Sequence, residues 1–548
     1  MAETEFNLGR INELVAAAVP DHEALVWGDV RLTYAQLAER SRRLASYLAG
    51  RGLGLKRERA DLAGHESGQD HLALYLYNGN EYMEGMLGAF KARVAPFNVN
   101  YRYVREELEY LLRDAGTQGV IYHASFAPIL AEVLDAVPSL DVLIQVADDS
   151  GHPLLDGAVD YEEALAGADP SGPDLEASPD DLYILYTGGT TGMPKGVLWR
   201  QHDIFVAAMG GRGMGSAEVV AGYEALAERA PNGSFLRFLV LPPLMHGAAQ
   251  WVSFTALNSG GTVVMPPDTR RLDADQVWDT VSAERTLAMS VVGDAMVRPL
   301  VDALEARPRE VAPLASVVSG GAPLNPSLKE RLTELVPTLI IADAVGSSET
   351  GAQMSHVSSK GSVSSGRFTP GPGTKVLDEA LEQLLEPGHD GIGWLAQEGY
   401  VPLGYLGDKD KTARTFPVVG GVRYAVPGDR ARLLEDGQIE LLGRDSVTIN
   451  SGGEKIFAEE VERAIGSHPD VADVVVVGRA SPRWGQEVVA LVRPAAGSTA
   501  SAEALIEHAS TVLARFKLPK EVIFLDHIER SPSGKADYRW AASQVGAG

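Results

Sequence analysis

Residues 187–196 read Thr-Gly-Gly-Thr-Thr-Gly-Met-Pro-Lys-Gly and follow an apolar stretch at 182–186. Gly188, Gly189 and Gly192 let backbone N–H groups converge, Thr187, Thr190 and Thr191 add hydroxyl donors, and Lys195 adds a charge, which together suit a polyphosphate. Lys195 is followed by Gly196 rather than by Ser or Thr, and the glycine spacing differs from a Walker loop, so a P-loop NTPase is disfavoured. Other reactive side chains stand in settings that serve chemistry or plain structure. Glu349 follows Ser347 and Ser348 and would suit either a metal or a helix start. Asp429 sits in Pro-Gly-Asp, a turn sequence whose carboxylate can also accept two ribose hydroxyls. Lys535 ends Ser-Pro-Ser-Gly-Lys, and His246 ends Leu-Pro-Pro-Leu-Met-His with Trp251 and Phe254 following. Three near misses carry nothing: His65-Glu66 lacks a histidine at 69, Gly346 to Gly351 is one residue too long for a serine-hydrolase elbow, and Gly211 to Gly215 lacks the dinucleotide spacing.

These residues need a scaffold of alternating elements. Helical periodicity at 34–48 and 82–92 alternates with short apolar strands at 119–122 and 142–146, which predicts α/β layers. A Pro/Gly/Asp-rich connector at 167–181 leads to the strand 182–186 and the Gly/Thr segment, and further βα units run to 341. From 371 to 444 Gly, Pro and short β-like runs predict a barrel or small sheet. A last unit from 444 shows a helix at 459–467, strands at 471–478 and 488–493, a helix at 502–515 and a strand at 522–525.

The 548 residues exceed one ordinary core, and the 45 % hydrophobic and 22 % charged content is that of a folded protein. Forty-eight basic against seventy-four acidic residues give a net charge of −26, which argues against nucleic acid as a partner. With no cysteine there is no disulfide, no Cys-ligated zinc and no thiol nucleophile, so thioester chemistry would have to borrow its thiol. The acidic N-terminus and the lack of a long apolar run predict a cytoplasmic protein without an integral membrane segment.

The segment 187–196 resembles the phosphate-binding signature of the adenylate-forming superfamily, which includes acyl-CoA synthetases, peptide-synthetase adenylation domains and firefly-type luciferases. Five further segments resemble its signatures in order. Ser319 with Gly320, Gly321, Ala322 and Pro323 is similar to the segment that packs on adenine. Asp343 to Glu349 resembles the signature whose hydroxyl, here Ser348, and glutamate serve phosphate and Mg²⁺. Pro427 to Asp429 resembles the ribose motif, and Gly443-Arg444 with Ile449 to Ile456, containing Gly452 and Gly453, the interdomain junction. Pro532 to Lys535 resembles the catalytic lysine motif. The resemblance implies an α/β fold with a large N-terminal domain, 1–443, and a small mobile α+β domain, 444–548. It implies ATP, Mg²⁺ held at Glu349, and coenzyme A as co-substrate. Lys535 would stabilise adenylation, His246 would stand between acyl pocket and coenzyme A channel, and Arg444 would reach ribose or phosphate. The small domain would then rotate to bring 451–453 beside a pantetheine tunnel.

The chain departs from the family at Gly188, where serine is usual, at Val345, where an aromatic stacks on adenine, and at Val447 in the junction, leaving the pivot anywhere from 444 to 447. No acidic residue opens the segment before His246, so an apolar acid is expected rather than an amino acid. Thirteen residues follow Lys535, too few for an attached carrier domain, which favours free coenzyme A and leaves a separate acyl carrier protein as an open alternative. Residues 80–103 are similar to an actinobacterial branch of fatty-acyl-CoA synthetases that includes enzymes for sterol side-chain acids. The expected activity is therefore an acid–thiol ligase for a medium- or long-chain fatty acid or a steroid side-chain acid. An acyl-AMP ligase serving a carrier protein, or a non-catalytic ATP-binding protein, is the alternative. The oligomeric state stays open, a homodimer included.

Overall fold

The computed structural model describes residues 4–187, 193–213, 216–363, 366–452, 454–530 and 535–546. Two sheets build the large N-terminal domain. The first has eight strands, ordered Gly404–Tyr405, Lys195–Arg200, Leu182–Thr187, Ala95–Asn98, His71–Tyr75, Gly119–His123, Val142–Val146 and Val159–Asp160. From Leu182–Thr187 to Val159–Asp160 its neighbours run parallel, and its central strands are buried along their whole length, as parallel strands between helices must be. Helices Tyr34–Gly50, Asn80–Lys91 and Arg105–Asp114 belong to this layer. The first opens with a capping box in which Thr33 and Gln36 bond each other's backbone N–H.

The second sheet begins parallel, through Glu23–Trp27, Thr262–Met265, Arg237–Val240, Ala288–Val291, Ser316–Gly320 and Ile340–Ser347. It turns antiparallel at Gly351–Ser358 and continues through Arg367–Pro370, Ile439–Arg444, Asp429–Leu433 and Gly393–Glu398. The Gly/Pro-rich stretch after 371 is therefore joined to the large sheet rather than standing apart from it. Arg367–Pro370 pairs on both sides, which covers an edge that would otherwise expose backbone donors.

A small C-terminal domain holds a five-stranded sheet of Glu454–Phe457, Thr448–Ser451, Gly485–Pro494, Val471–Ser481 and Glu521–Phe524. Strand period decides its two cores. Val474 and Val476 pack with helices Ala458–Gly466 and Ala502–Ser510, whereas Val475 and Val477 join the opposite cluster with Ala541 of Tyr538–Gln544. The helix expected over 502–515 ends at Ser510, where β-branched Thr511 and Val512 follow and the chain turns. Arg444 ends a strand of the large sheet, and one 3₁₀ turn, Asp445–Val447, leads to the small sheet. Across the seam Arg298 Nη2 donates to the Val471 carbonyl at 3.4 Å, Asn325 bonds the Gly466 carbonyl, and Glu379 pairs with both Arg430 and Lys455. Among the described residues no helix is long and apolar enough to cross a membrane.

Candidate active site

Strands Leu182–Thr187 and Lys195–Arg200 form an antiparallel pair in which Thr187 lies opposite Lys195. They carry the two ends of the Gly/Thr segment, whose residues Gly188, Gly189, Thr190, Thr191 and Gly192 lie outside the described residues. The buried Asn98 joins this pair to the His246 segment. Its Oδ1 accepts from the Tyr186 N–H at 2.8 Å, and its Nδ2 donates to the carbonyls of Tyr186 at 2.9 Å and Met245 at 2.7 Å. Asn78 holds the same segment from the other side, accepting from the Leu244 N–H at 2.6 Å and donating to the Pro242 carbonyl at 3.0 Å. His246 then stands at the N-cap of helix Gly247–Leu257. Among the described residues its Nε2 is buried without a hydrogen-bond partner. Burial, with Lys535 and Arg102 adding repulsion, pushes its pKa down to about 3, so the ring is neutral at physiological pH.

The second group of side chains meets where the domains face each other. Gly321, at φ +84°, follows strand Ser316–Gly320, and a side chain there would approach Lys535 Cε to 4.0 Å. Ala322 and Pro323 continue this turn and lie against Gly293, where a Cβ would come within 3.0 Å of the Ala322 side chain. Asp429 and Arg444 lie opposite each other on paired strands, with Nε to Oδ1 at 3.4 Å. Burial raises the Asp429 pKa and the nearby Glu349 adds to this, while Arg444 and Lys535 oppose it. The Lys535 side chain keeps contact with solvent, yet the surrounding cleft lowers its ammonium pKa and Arg444 adds repulsion. Glu349 and Asp429 pull the other way. Two cations and two carboxylates thus balance in one cleft between residues far apart in the chain.

Glu349 lies in a tight turn between antiparallel strands Ile340–Ser347 and Gly351–Ser358, so it caps no helix. Its N–H donates to Ser347 Oγ at 3.2 Å, and its Oε1 accepts from the Tyr405 hydroxyl at 2.7 Å. The Ser348 carbonyl accepts from Trp199 Nε1 at 2.8 Å. Among the described residues no group of three His, Asp or Glu side chains could hold a metal. One oriented carboxylate is nevertheless a fitting donor for Mg²⁺, which takes one or two carboxylates and draws its other ligands from water and substrate phosphates.

Residues 13–406 match the family model described as AMP-binding enzyme, and residues 460–535 match the model of the AMP-binding enzyme C-terminal domain. The chain belongs to the AMP-binding enzyme family. It is similar to the medium-chain acyl-CoA ligase Mig of Mycobacterium avium, 59 % identical over 542 residues that cover 99 % of this chain and 98 % of the relative. A medium/long-chain-fatty-acid–CoA/3-oxocholest-4-en-26-oate–CoA ligase of Mycobacterium marinum is 40 % identical over 550 residues, 99 % of this chain and 97 % of that one. Among solved structures, the anthranilate CoA ligase AuaEII in complex with anthranoyl-AMP shares the fold with a TM-score of 0.81 at 20 % identity, covering 99 % and 98 % of the two chains.

Several site residues of this AMP-binding enzyme take positions their sequence setting does not show. Asp343 forms an ion pair with the buried Lys329, so its carboxylate is already engaged. Lys195 reaches Asp114 at 3.3 Å. Gly452, at φ +62°, donates its N–H to the Trp484 carbonyl at 2.8 Å and packs within the small domain, while Gly453 lies outside the described residues. Phe254 is fully buried in the main core, 6.0 Å from the Phe90 ring, and is a core residue. Nothing in the local sequence marks Asn98, Tyr405, Lys329 or Asp114, because their roles lie in partners distant along the chain. The one signal for Asn98 is its place at the end of a buried strand, where an amide needs partners.

Proposed function

We propose that this chain is an AMP-forming acyl-CoA synthetase for hydrophobic carboxylic acids, medium- or long-chain fatty acids with steroid side-chain acids in range, working in the cytoplasm. The observation that carries the reading is the meeting of Lys535 with Gly321, Glu349, Asp429 and Arg444 in the cleft between the domains. A small domain taken from residue 444 can remove Lys535 from that cleft by turning at 445–447. The named activities of relatives at 59 % and 40 % identity support the same substrate class.

In the first half-reaction an oxygen of the acid attacks the α-phosphorus of ATP and the bond to pyrophosphate breaks. Lys535 and Arg444 offset the charge gathered on the phosphoryl oxygens. Asp429 accepts from the ribose hydroxyls, the turn from Gly320 to Pro323 bounds the adenine, and Thr187 stands at the edge of the phosphate segment. Asp343 supports that turn from the neighbouring strand, opposite Ser319, while Lys329 holds its carboxylate. Glu349, held by Tyr405, would bind Mg²⁺, which supplies positive charge to the polyphosphate. In the second half-reaction the thiol of coenzyme A attacks the acyl carbon, AMP leaves, and the thiol proton passes to solvent or phosphate. With Lys535 in the cleft His246 is buried and neutral, and it serves there as a neutral wall between the acyl pocket and the thiol's approach. The hairpin tip at Ser451 and Gly452 would line the thiol's approach after rotation.

Each buried CH₂ contributes about 0.8 kcal/mol, so apolar acids should outcompete acetate by several kcal/mol until the pocket is full. Measuring kcat/KM for acetate, octanoate, palmitate, a steroid side-chain acid and phenylalanine at saturating ATP and coenzyme A tests this. Preference for acetate or phenylalanine would refute the hydrophobic-acid reading, and failure of the steroid acid alone would remove only that part of the range.

A further inference from the structure

We infer that Asp114 is a positioning residue for ATP, tying together the two strands that carry the phosphate segment, and that Lys195 acts through this tie rather than by touching a phosphate. The inference rests on the ATP-binding reading above. Asp114 Oδ2 accepts from the Tyr186 hydroxyl at 2.9 Å, and Oδ1 lies 3.3 Å from Lys195 Nζ and accepts from the Tyr110 hydroxyl at 3.2 Å. Tyr186 immediately precedes Thr187 at one end of the segment, and Lys195 closes the other end. One carboxylate therefore holds both.

Three features make the tie more than a chance surface contact. Asp114 is the last residue of helix Arg105–Asp114, where a negative charge opposes the helix dipole, so its place there calls for compensating donors. Gly196 lies directly opposite Tyr186, and a Cβ at Gly196 would fall 2.8 Å from the Tyr186 ring, so the glycine leaves room for the phenol to lean across. The ammonium of Lys195 also faces the side of that helix where Glu106, Glu109 and Asp114, with Tyr110 and the Glu109-paired Arg113, line an open hollow of about 570 Å³. Burial alone would lower the Lys195 pKa, and Tyr110 and Asp114 outweigh it and raise it, as expected of a cation already paired.

A double-mutant cycle over Asp114→Asn and Lys195→Met decides the question, read as the Kd for ATP by calorimetry and as the KM for ATP and kcat in ATP–pyrophosphate exchange. If the pair acts as a unit, each single substitution weakens ATP binding about tenfold, the double is no worse than the weaker single, and kcat falls less than KM rises. Lys195→Arg should recover most of the affinity. Losses that multiply in the double, to about a hundredfold, would overturn the inference and return Lys195 to direct phosphate contact. Should Asp114→Asn unfold on heating well below the wild type, Asp114→Ser, which also removes the carboxylate, supplies the same cycle. The binding readout needs no acid substrate, so a chain that binds ATP but ligates no acid fails the functional reading without deciding this one.

Discussion

Removing the ammonium of Lys535 should separate the two half-reactions. Its Cε lies 4.0 Å from where a side chain on Gly321 would begin, which brings the Lys535 side chain up to the turn from Gly320 to Pro323. At an effective dielectric of about 20, a unit charge about 4 Å from another contributes about 4 kcal/mol, or about 10³-fold in rate. Loss of a single preorganised donor to a transition state commonly costs about 10² to 10³ in kcat, so the two figures agree. Lys535→Ala should therefore slow acid-dependent ATP–pyrophosphate exchange by about 10²- to 10³-fold, while capture of a synthetic acyl-AMP by coenzyme A changes less than about threefold. The pH profile gives a second reading. Burial and Arg444 hold the Lys535 ammonium below its ordinary 10.5, so the wild-type adenylation rate should fall on the alkaline side before an ordinary lysine would deprotonate. That limb should vanish in Lys535→Ala. Equal losses in both half-reactions, or an alkaline limb that survives the substitution, would refute the assignment.

Glu349→Gln removes the charge from the carboxylate that Tyr405 orients, so the Mg²⁺ midpoint for activity and for nucleotide binding should rise about tenfold, and an unchanged titration would take Glu349 out of the metal site. Phe254→Ala opens a cavity in a closed core and should cost about 3 to 5 kcal/mol of stability with little change in the order of preferred acids; a changed order would show that Phe254 shapes the acyl pocket. Burial raises the Glu462 pKa to about 8 from 4.5, against the Val476 N–H that it accepts, so its contribution to stability is full below pH 4.5 and is lost as pH rises through 8. At about 1.4 kcal/mol per pH unit that gap corresponds to at most about 5 kcal/mol, an upper bound that relaxation and water penetration lower. Glu462→Gln should accordingly lose less stability than the wild type between pH 5 and 9 in calorimetric unfolding, and parallel curves for the two proteins would rule this out.

Motifs that act locally were legible in the sequence. The glycines and threonines of 187–196, the order of the six signatures and the alternation of helix and strand depend on neighbours a few residues apart, and backbone sterics and periodicity write such information directly into the chain. The alternation predicted the α/β layers, and the two-faced Val471–Ser481 strand is read correctly from its run of valines. Boundaries were less exact, as the helix from 502 shows by stopping at Ser510.

Partner choice was not legible, because it depends on which distant elements the packing brings together. Glu349 could have capped a helix until the next strand, Gly351–Ser358, turned back on it and Tyr405 arrived from a different sheet. Asp343 carried the spacing of a site residue, and only the stacking of helix Pro326–Leu335 against its strand gave its carboxylate to Lys329. Types and order of the reactive residues are properties of the sequence alone. Which cation meets which carboxylate, and that Lys535 meets Gly321 across the seam, belongs to the tertiary structure, because an ion pair's strength falls with distance and burial, and neither exists until the chain is packed.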